Sequence, residues 1–257
     1  MSFPGSPQNR GRRNPLGTVP AYDLVAVLII SLLGQRLLPF AFFNTPDSDQ
    51  LAGAAPSPPT VTDSMLFLTV HSLLVMASIY FIVIRRRGLR LSDLGIVLVS
   101  KTWIVRAAVA GIATVFISGL VIQVLRTMQE EPFHNPQIDI FVGGGPSFSN
   151  LLISLLVTGA IVPLTEEIAF RGLFYGWLRQ HMSVAASVAI SSAFFAFLHG
   201  VPFLIPIFAL VGAILAFITE KSGSVLAATI THGVFNAFGV ISLYTLMYRG
   251  AFEQAAG

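Results

Sequence analysis

Ile161 to Gly176 reads I-V-P-L-T-E-E-I-A-F-R-G-L-F-Y-G, two adjacent glutamates and an arginine set in an otherwise apolar run. An ionised side chain inside hydrocarbon costs several kcal/mol, so Glu-Glu-x-x-x-Arg within a membrane helix marks a functional site by default. On a helix Glu167 and Arg171 stand at i and i+4 with the acid N-terminal, the favourable order for an ion pair. Glu166 is then left over. Two carboxylates against one guanidinium leave one carboxylate available to take and return a proton, whereas a purely structural ion pair would not need the second acid. Pro163 lies three residues before Glu166 and deprives the carbonyl of Gly159 of its helical donor, which predicts a kink beside the acid. Gly172 and Gly176 form a small-xxx-small face suited to close helix packing.

The surrounding chain is far more apolar than a soluble domain. Of its 257 residues 54% are hydrophobic and only 11% charged, and the mean hydropathy is +0.78, whereas soluble domains carry roughly a quarter charged residues. Several apolar runs approach the ~20 residues that cross a bilayer as helix, and their unbroken character excludes a membrane barrel. The fold class is therefore all-α, a polytopic transmembrane helical bundle. The chain contains no cysteine, which removes disulfides, thiolate metal sites and cysteine nucleophiles. Nothing in the charge pattern suggests a nucleic-acid partner.

Residues 1–20, with Arg10, Arg12 and Arg13 among Gly, Pro, Asn and Ser, read as a disordered cytoplasmic tail without a signal-peptide core. Seven spans are expected, at about 22–43, 63–84, 104–125, 150–180, 184–199, 202–219 and 224–248. Residues 21–149 then hold the N-terminal helices and loops, 150–248 the core that carries the motifs, and 249–257 a short tail. Arg36, in the first span, is read as snorkelling to the interface. A loop at 44–62 is rich in Pro, Ser and Asp, and L-S-D-L-G-I (91–96) forms an interfacial connection before the third span. The segment from Glu130 through Pro136 to the three glycines at 143–145 reads as irregular loop. With the N-terminus inside, that side holds Arg10, Arg12, Arg13, Arg85, Arg86, Arg87, Arg90, Lys101, Arg106, Arg179 and Lys221, against Arg126 and Arg249 opposite. The asymmetry predicts a multi-pass cell-membrane protein with a cytoplasmic N-terminus and an external C-terminal tail.

Two further helices carry polar groups that lipid would not tolerate. A-F-F-A-F-L-H-G places Phe195 and His199 on one face of the fifth, and T-H-G-V-F-N places His232 and Asn236 on one face of the seventh. If the fourth and fifth helices turn near Met182, Glu166 and His199 lie about equally far from the turn, roughly 25 Å at 1.5 Å per residue. This requires the fourth helix to continue past Arg171 to about Gln180, with Arg179, Gln180 and His181 reaching the cytoplasm. His232, about 10 residues past its own turn, comes out a turn or so shallower, a mismatch that tilt would absorb. His71, His134 and His181 are read as interfacial or packing residues.

Taken in order, E-E-x-x-x-R (Glu166, Glu167, Arg171), F-x-x-x-H (Phe195, His199) and H-x-x-x-N (His232, Asn236) resemble the CAAX protease and bacteriocin-processing family of membrane proteins, also called the Abi family, which includes the type II prenyl-protein endopeptidase. The L-S-D-L-G-I segment also resembles the stretch that precedes the core in many members. The resemblance covers about Asn150 to Tyr248, with no departure at the motif positions. It implies an intramembrane endopeptidase acting on a membrane-embedded or lipidated peptide, in which Glu166 activates water, His199 assists, and His232 and Asn236 stabilise the oxyanion. Glu167, Arg171 and Phe195 fall into supporting roles. Peptide hydrolysis needs an activated water, a proton for the leaving amine and donors aimed at the oxyanion, and these residue types supply all three. Glu166, His199 and His232 also match the ligand count of a catalytic zinc site, but no H-E-x-x-H accompanies them, so metal-free glutamate catalysis without a cofactor is the favoured expectation. The family also contains members linked to bacteriocin immunity, which makes a non-proteolytic membrane factor the alternative. A proton-coupled carrier would be expected to show repeats and broken helices in both halves, and none are found.

Overall fold

The computed structural model describes residues 15–43, 59–129, 135–143 and 145–256. Seven helices dominate them: α1 (Ala21–Phe43), α2 (Val61–Arg85), α3 (Lys101–Thr127), α4 (Phe148–His181), α5 (Val184–Leu198), α6 (Ile205–Ser222) and α7 (Val225–Ala256). Six regions are long and apolar enough to cross a membrane, and α5 is a shorter apolar helix. No strand occurs among the described residues, and the expected span boundaries hold to within a few residues except at the end of α7, which runs eight residues past the expected 248.

The outside of the bundle is apolar, unlike that of a water-soluble bundle, and small hydroxylated residues share the interior with the apolar core. Phe40, Leu66, Val105, Phe116, Leu120 and Leu246 lie on the outside, where lipid is their solvent, while Ser64, Thr114, Ser154, Thr158, Thr165 and Thr231 are buried between helices. Small hydroxylated residues and glycines let membrane helices approach closely. Added Cβ atoms show how closely: one on Gly233 of α7 would run into the carbonyl oxygen of Gly159 of α4, and one on Gly111 of α3 would lie 2.6 Å from Thr231 O. The α4–α7 and α3–α7 seams are therefore backbone-to-backbone contacts.

The expected disordered tail is only partly addressed, because residues 1–14 lie outside the described residues. The remainder corrects it. Pro15–Thr18 forms a 3₁₀ turn whose Leu16 is buried, as is Val19, and Trp177 Nε1 donates to Val19 O at 2.8 Å. Two apolar side chains and an indole N–H that needs an acceptor are sufficient reason for this segment to pack on the end of α4. At the other terminus α7 continues as helix to Ala256, through the expected short tail. Most of the Pro-rich loop, Glu130–His134 and Gly144 lie outside the described residues. The rest of the Gly-containing segment includes a 3₁₀ turn, Pro136–Ile138, and one helical turn, Asp139–Val142.

L-S-D-L-G-I is a brace within the core. Leu91–Leu94 makes a 3₁₀ turn closed by Gly95 in the left-handed region at φ 75°, the backbone conformation that glycine adopts without steric cost. Leu94 is buried, and its carbonyl would lie 2.9 Å from a Cβ on Gly172. Gly95 O accepts from Val225 N at 2.9 Å and Val97 O from Ser224 Oγ at 2.6 Å. These bonds fix where α7 begins: Val225 lies level with Gly172, well inside the end of α4 at His181. Glu166 is six residues from Gly172 and His232 seven from Val225, so the expected depth mismatch disappears without tilt.

Arg179 is also reassigned. It is buried, with Nε and Nη2 on the Glu220 carboxylate at 3.3 and 3.2 Å, Nη1 on Met182 O at 3.2 Å, and Tyr175 Oη on the same carboxylate at 2.9 Å. It clamps α4 to α6 and does not project into solvent. On the same end of the bundle Arg87 binds the buried Asp23 at 2.6 Å and Tyr22 Oη at 3.0 Å, hydrogen bonds that hold its guanidinium above the ordinary arginine value.

Candidate active site

Helix α4 changes register twice around the acidic motif. Val157–Ile161 and Ile168–Tyr175 are π-helical, with the α-helical turn Val162–Glu167 between them. Such single-turn π segments are frequent at functional sites, and here the first has an identifiable cause. Val162 N donates to Val157 O, an i to i−5 bond. The next bond in that register would run from residue 163 to Thr158, but Pro163 has no N–H. Thr158 O instead accepts from Asn236 Nδ2 of α7 at 2.9 Å. The carbonyl freed by proline is thus that of Thr158, one residue earlier than the α-helical count that pointed to Gly159.

Glu167 is the hub of the polar cluster and is fully buried. Its Oε1 accepts from Arg171 Nη1 at 3.0 Å and from His232 Nδ1 at 2.9 Å. Arg171, equally buried, also donates Nη2 to Gly212 O of α6 at 3.0 Å and lays its guanidinium 4.4 Å from the Phe195 ring centroid. The expected Glu167–Arg171 pair is present; its connection to His232 and Gly212 was not expected. Gly212 is glycine because a Cβ there would press on the Ser192 backbone at 3.0 Å.

Glu166 stands apart. It is 29% exposed where Glu167 is 0%, and its Oε2 lies 3.8 Å from His232 Nε2, within ion-pair reach but beyond a hydrogen bond. The imidazole of His232 therefore lies between the two carboxylates, with Nδ1–H committed to Glu167 and Nε2 turned to Glu166.

His199 caps the end of α5. Its Nδ1 lies 2.7 Å from Phe195 O; a carbonyl can only accept, so Nδ1 carries the proton and Nε2 of the neutral ring carries the lone pair. The ring is held on both sides, stacked on Phe208 of α6 at 4.1 Å and tilted against Phe195 at 4.5 Å. Phe195 also meets His232 edge-on at 6.0 Å and Phe170 at 5.0 Å. The phenylalanine of F-x-x-x-H is thus the surface around which His199, His232 and Arg171 are placed. Asn236 is one turn from His232 and points to Thr158.

Thr158, Phe208 and Gly212 were missed in the sequence. An isolated glycine inside an apolar helix signals close approach, and Thr158 follows from Pro163 once the π register is known. Phe208 carries no local signal. Among the described residues no group of three or more His, Asp or Glu side chains is gathered closely enough to hold a metal ion. His71, bonded to Ser31 O at 3.0 Å, and His181, bonded to Trp177 O at 2.9 Å, are packing residues. His134 lies outside the described residues.

Two apolar cavities flank the cluster. One of about 300 Å³ lies between α1, α2, α4 and α5 and includes Leu28, Val75, Phe170, Phe174 and Phe194 in its wall. The other, about 480 Å³ and more open, lies along the α4–α7 seam at Gly159, Ala160, Leu164, Gly233 and Ala237. Neither is lined by Glu166, His199 or His232.

Residues 148–238 match the model of a protein family described as type II CAAX prenyl endopeptidase Rce1-like. No curated protein and no solved structure matches the chain. The matched segment begins with the first residue of α4 and contains every residue of the three motifs. The chain is a multi-pass membrane protein whose residues 148–238, about a third of its length, are similar to the Rce1-like type II CAAX prenyl endopeptidases, a likeness that supports a membrane protease of that kind.

Proposed function

We propose that the chain is an intramembrane endopeptidase in which Glu166 removes a proton from water that attacks a peptide carbonyl. The observation that carries this reading is the unequal treatment of the two glutamates. Glu167 is fully buried and spends Oε1 on Arg171 and His232, whereas Glu166 is partly exposed and, among the described residues, makes no hydrogen bond, its Oε2 standing 3.8 Å from His232 Nε2. One acid organises the site and the other is left to react. The water proton passes to Glu166 as the C–O bond forms; when the C–N bond breaks, the leaving amine takes a proton from Glu166 through His199, whose Nε2 lone pair is set by the Nδ1 bond to Phe195 O. Asn236 Nδ2 carries two hydrogens and gives one to Thr158 O, so the second is available to the oxyanion. His232 joins it as a donor when Nε2 is protonated. No step requires a metal.

The substrate is a membrane-embedded or lipidated peptide, a class that suits a polar cluster inside an apolar bundle with apolar cavities on both sides. The test is direct. The full chain, purified and reconstituted in vesicles, is given a C-terminally lipidated model peptide and the products are read by mass spectrometry in H₂¹⁸O. Cleavage at one bond with ¹⁸O in the new carboxylate is the expected result; an intact peptide across a panel of lipidated and transmembrane sequences would overturn the proposal.

A further inference from the structure

One end of the bundle carries charges that the proposed chemistry does not use. The ends and connections gathered there hold Arg85, Arg86, Arg87, Arg90, Lys101, Arg106, Arg179 and Lys221 against Asp23, Asp93 and Glu220. All three acids are engaged. Asp23 takes Arg87 at 2.6 Å and faces Arg86 at 3.6 Å, Asp93 accepts from the backbone N–H of Arg90 at 2.7 Å, and Glu220 holds Arg179 and Tyr175. Among the described residues no carboxylate pairs with the side chains of Arg85, Arg90, Lys101 or Arg106, and all four residues are exposed.

Apolar groups stand out beside them. Leu98 is 92% exposed, the most exposed large hydrophobic among the described residues, and Leu91 is 53% exposed. This is not a loose loop. Its backbone is pinned at Gly95 and Val97 by Val225 and Ser224, and Ser100 caps α3 by accepting from Trp103 N. Trp103 is half-buried with the Arg106 guanidinium 5.4 Å from its ring centroid. A fixed connection at the ends of two spans therefore presents leucines, a tryptophan and unpaired cations together. Tryptophan favours the membrane–water interface, apolar side chains beside cations favour insertion into a headgroup layer, and each Lys or Arg near an anionic leaflet strengthens attraction by about fivefold in affinity.

We infer that residues 85–106 form a docking surface for anionic phospholipids, with headgroup phosphates on Arg85, Arg90, Lys101 and Arg106 and with Leu91 and Leu98 entering the acyl boundary. The leucines decide for a bilayer lipid over a free phosphate, which would gain nothing from them.

The experiment uses the full chain in phosphatidylcholine vesicles carrying spin-labelled phosphatidylglycerol or spin-labelled phosphatidylcholine. The immobilised fraction of each label is read by electron paramagnetic resonance. The expected result is enrichment of the phosphatidylglycerol label, falling with added salt and unaffected by inorganic phosphate at the same ionic strength. Neutralising the four cations (Arg85→Gln, Arg90→Gln, Lys101→Gln, Arg106→Gln) is expected to bring the two labels to equality, and Leu98→Ser to reduce the enrichment without lowering the melting temperature. Because loss of arginines can alter insertion, the lysine version at 85, 90 and 106 is the folded control and keeps the enrichment. Equal labels in the unmodified chain, full displacement by inorganic phosphate, or enrichment unchanged in a correctly inserted neutralised variant would each overturn the inference.

Discussion

Replacing Glu167 by glutamine separates the organising acid from the reacting one. The substitution preserves volume and one carbonyl acceptor but removes the counter-charge from Arg171, a guanidinium only 1% exposed. Removing one partner of a buried ion pair costs about 3–5 kcal/mol. Arg171 keeps its bond to Gly212 O, and the glutamine oxygen still accepts from one of the two former donors, so the low end of the range, about 3 kcal/mol, is expected. For a chain of this size that corresponds to roughly 6–12 °C in melting temperature. The assay is intrinsic fluorescence during a thermal ramp in detergent; Trp177, hydrogen-bonded to Val19 and packed against the core, is a suitable reporter. A second variant sharpens the reasoning. Glu167→Gln with Arg171→Met removes both charges, and replacing a buried pair by apolar groups is often neutral, so most of the lost stability should return. His232 would still lack the carboxylate on Nδ1, so turnover should stay low, below wild type by up to about 1000-fold, the upper end of what the loss of one oxyanion donor costs. A single variant that melts with wild type would refute the buried-pair argument, and a double variant that recovers full turnover would refute the placement of His232 by Glu167.

The same geometry sets three further outcomes. Asn236→Ala is expected to lower kcat by roughly 100- to 1000-fold with little change in KM, and to cost about 1–3 kcal/mol of stability because Thr158 O loses its donor; steady-state kinetics beside a melt read both. Gly233→Ala forces a methyl group onto the Gly159 carbonyl, so it should destabilise the chain by about 1–3 kcal/mol and reduce turnover by separating α7 from α4. Exhaustive treatment with a membrane-permeant chelator should leave activity intact, and elemental analysis should find no stoichiometric metal; one zinc per chain with activity lost on removal and restored on addition would replace the metal-free reading.

The helices and their motifs were legible in the sequence because the signals are local. Apolar runs of bilayer length, stop residues at Arg85–Arg87 and the turn at Ser222–Ser224 fix where spans begin and end, and i, i+4 spacing fixes the Glu167–Arg171 pair. What the sequence concealed depends on register and on contacts between distant segments. A π segment shifts every later side chain around α4, so the carbonyl freed by Pro163 could be assigned only once that register was known. The depth of α7 depends on Gly95 and Val97, more than 100 residues before it. The burial of Leu16 and Arg179 was hidden because residues read as solvated by composition find partners at the far end of α4 and on α6.

The central claim is that Glu166 is the base. The measurement that tests it most directly is the turnover of Glu166→Gln, purified, reconstituted and melting within about 1 kcal/mol of wild type, as expected for a partly exposed side chain with no close hydrogen bond. The account predicts loss of cleavage by at least about 100-fold, the lower end of what a positioned general base contributes, with peptide still bound. Cleavage by Glu166→Gln at a rate near wild type, in a folded chain, would contradict it.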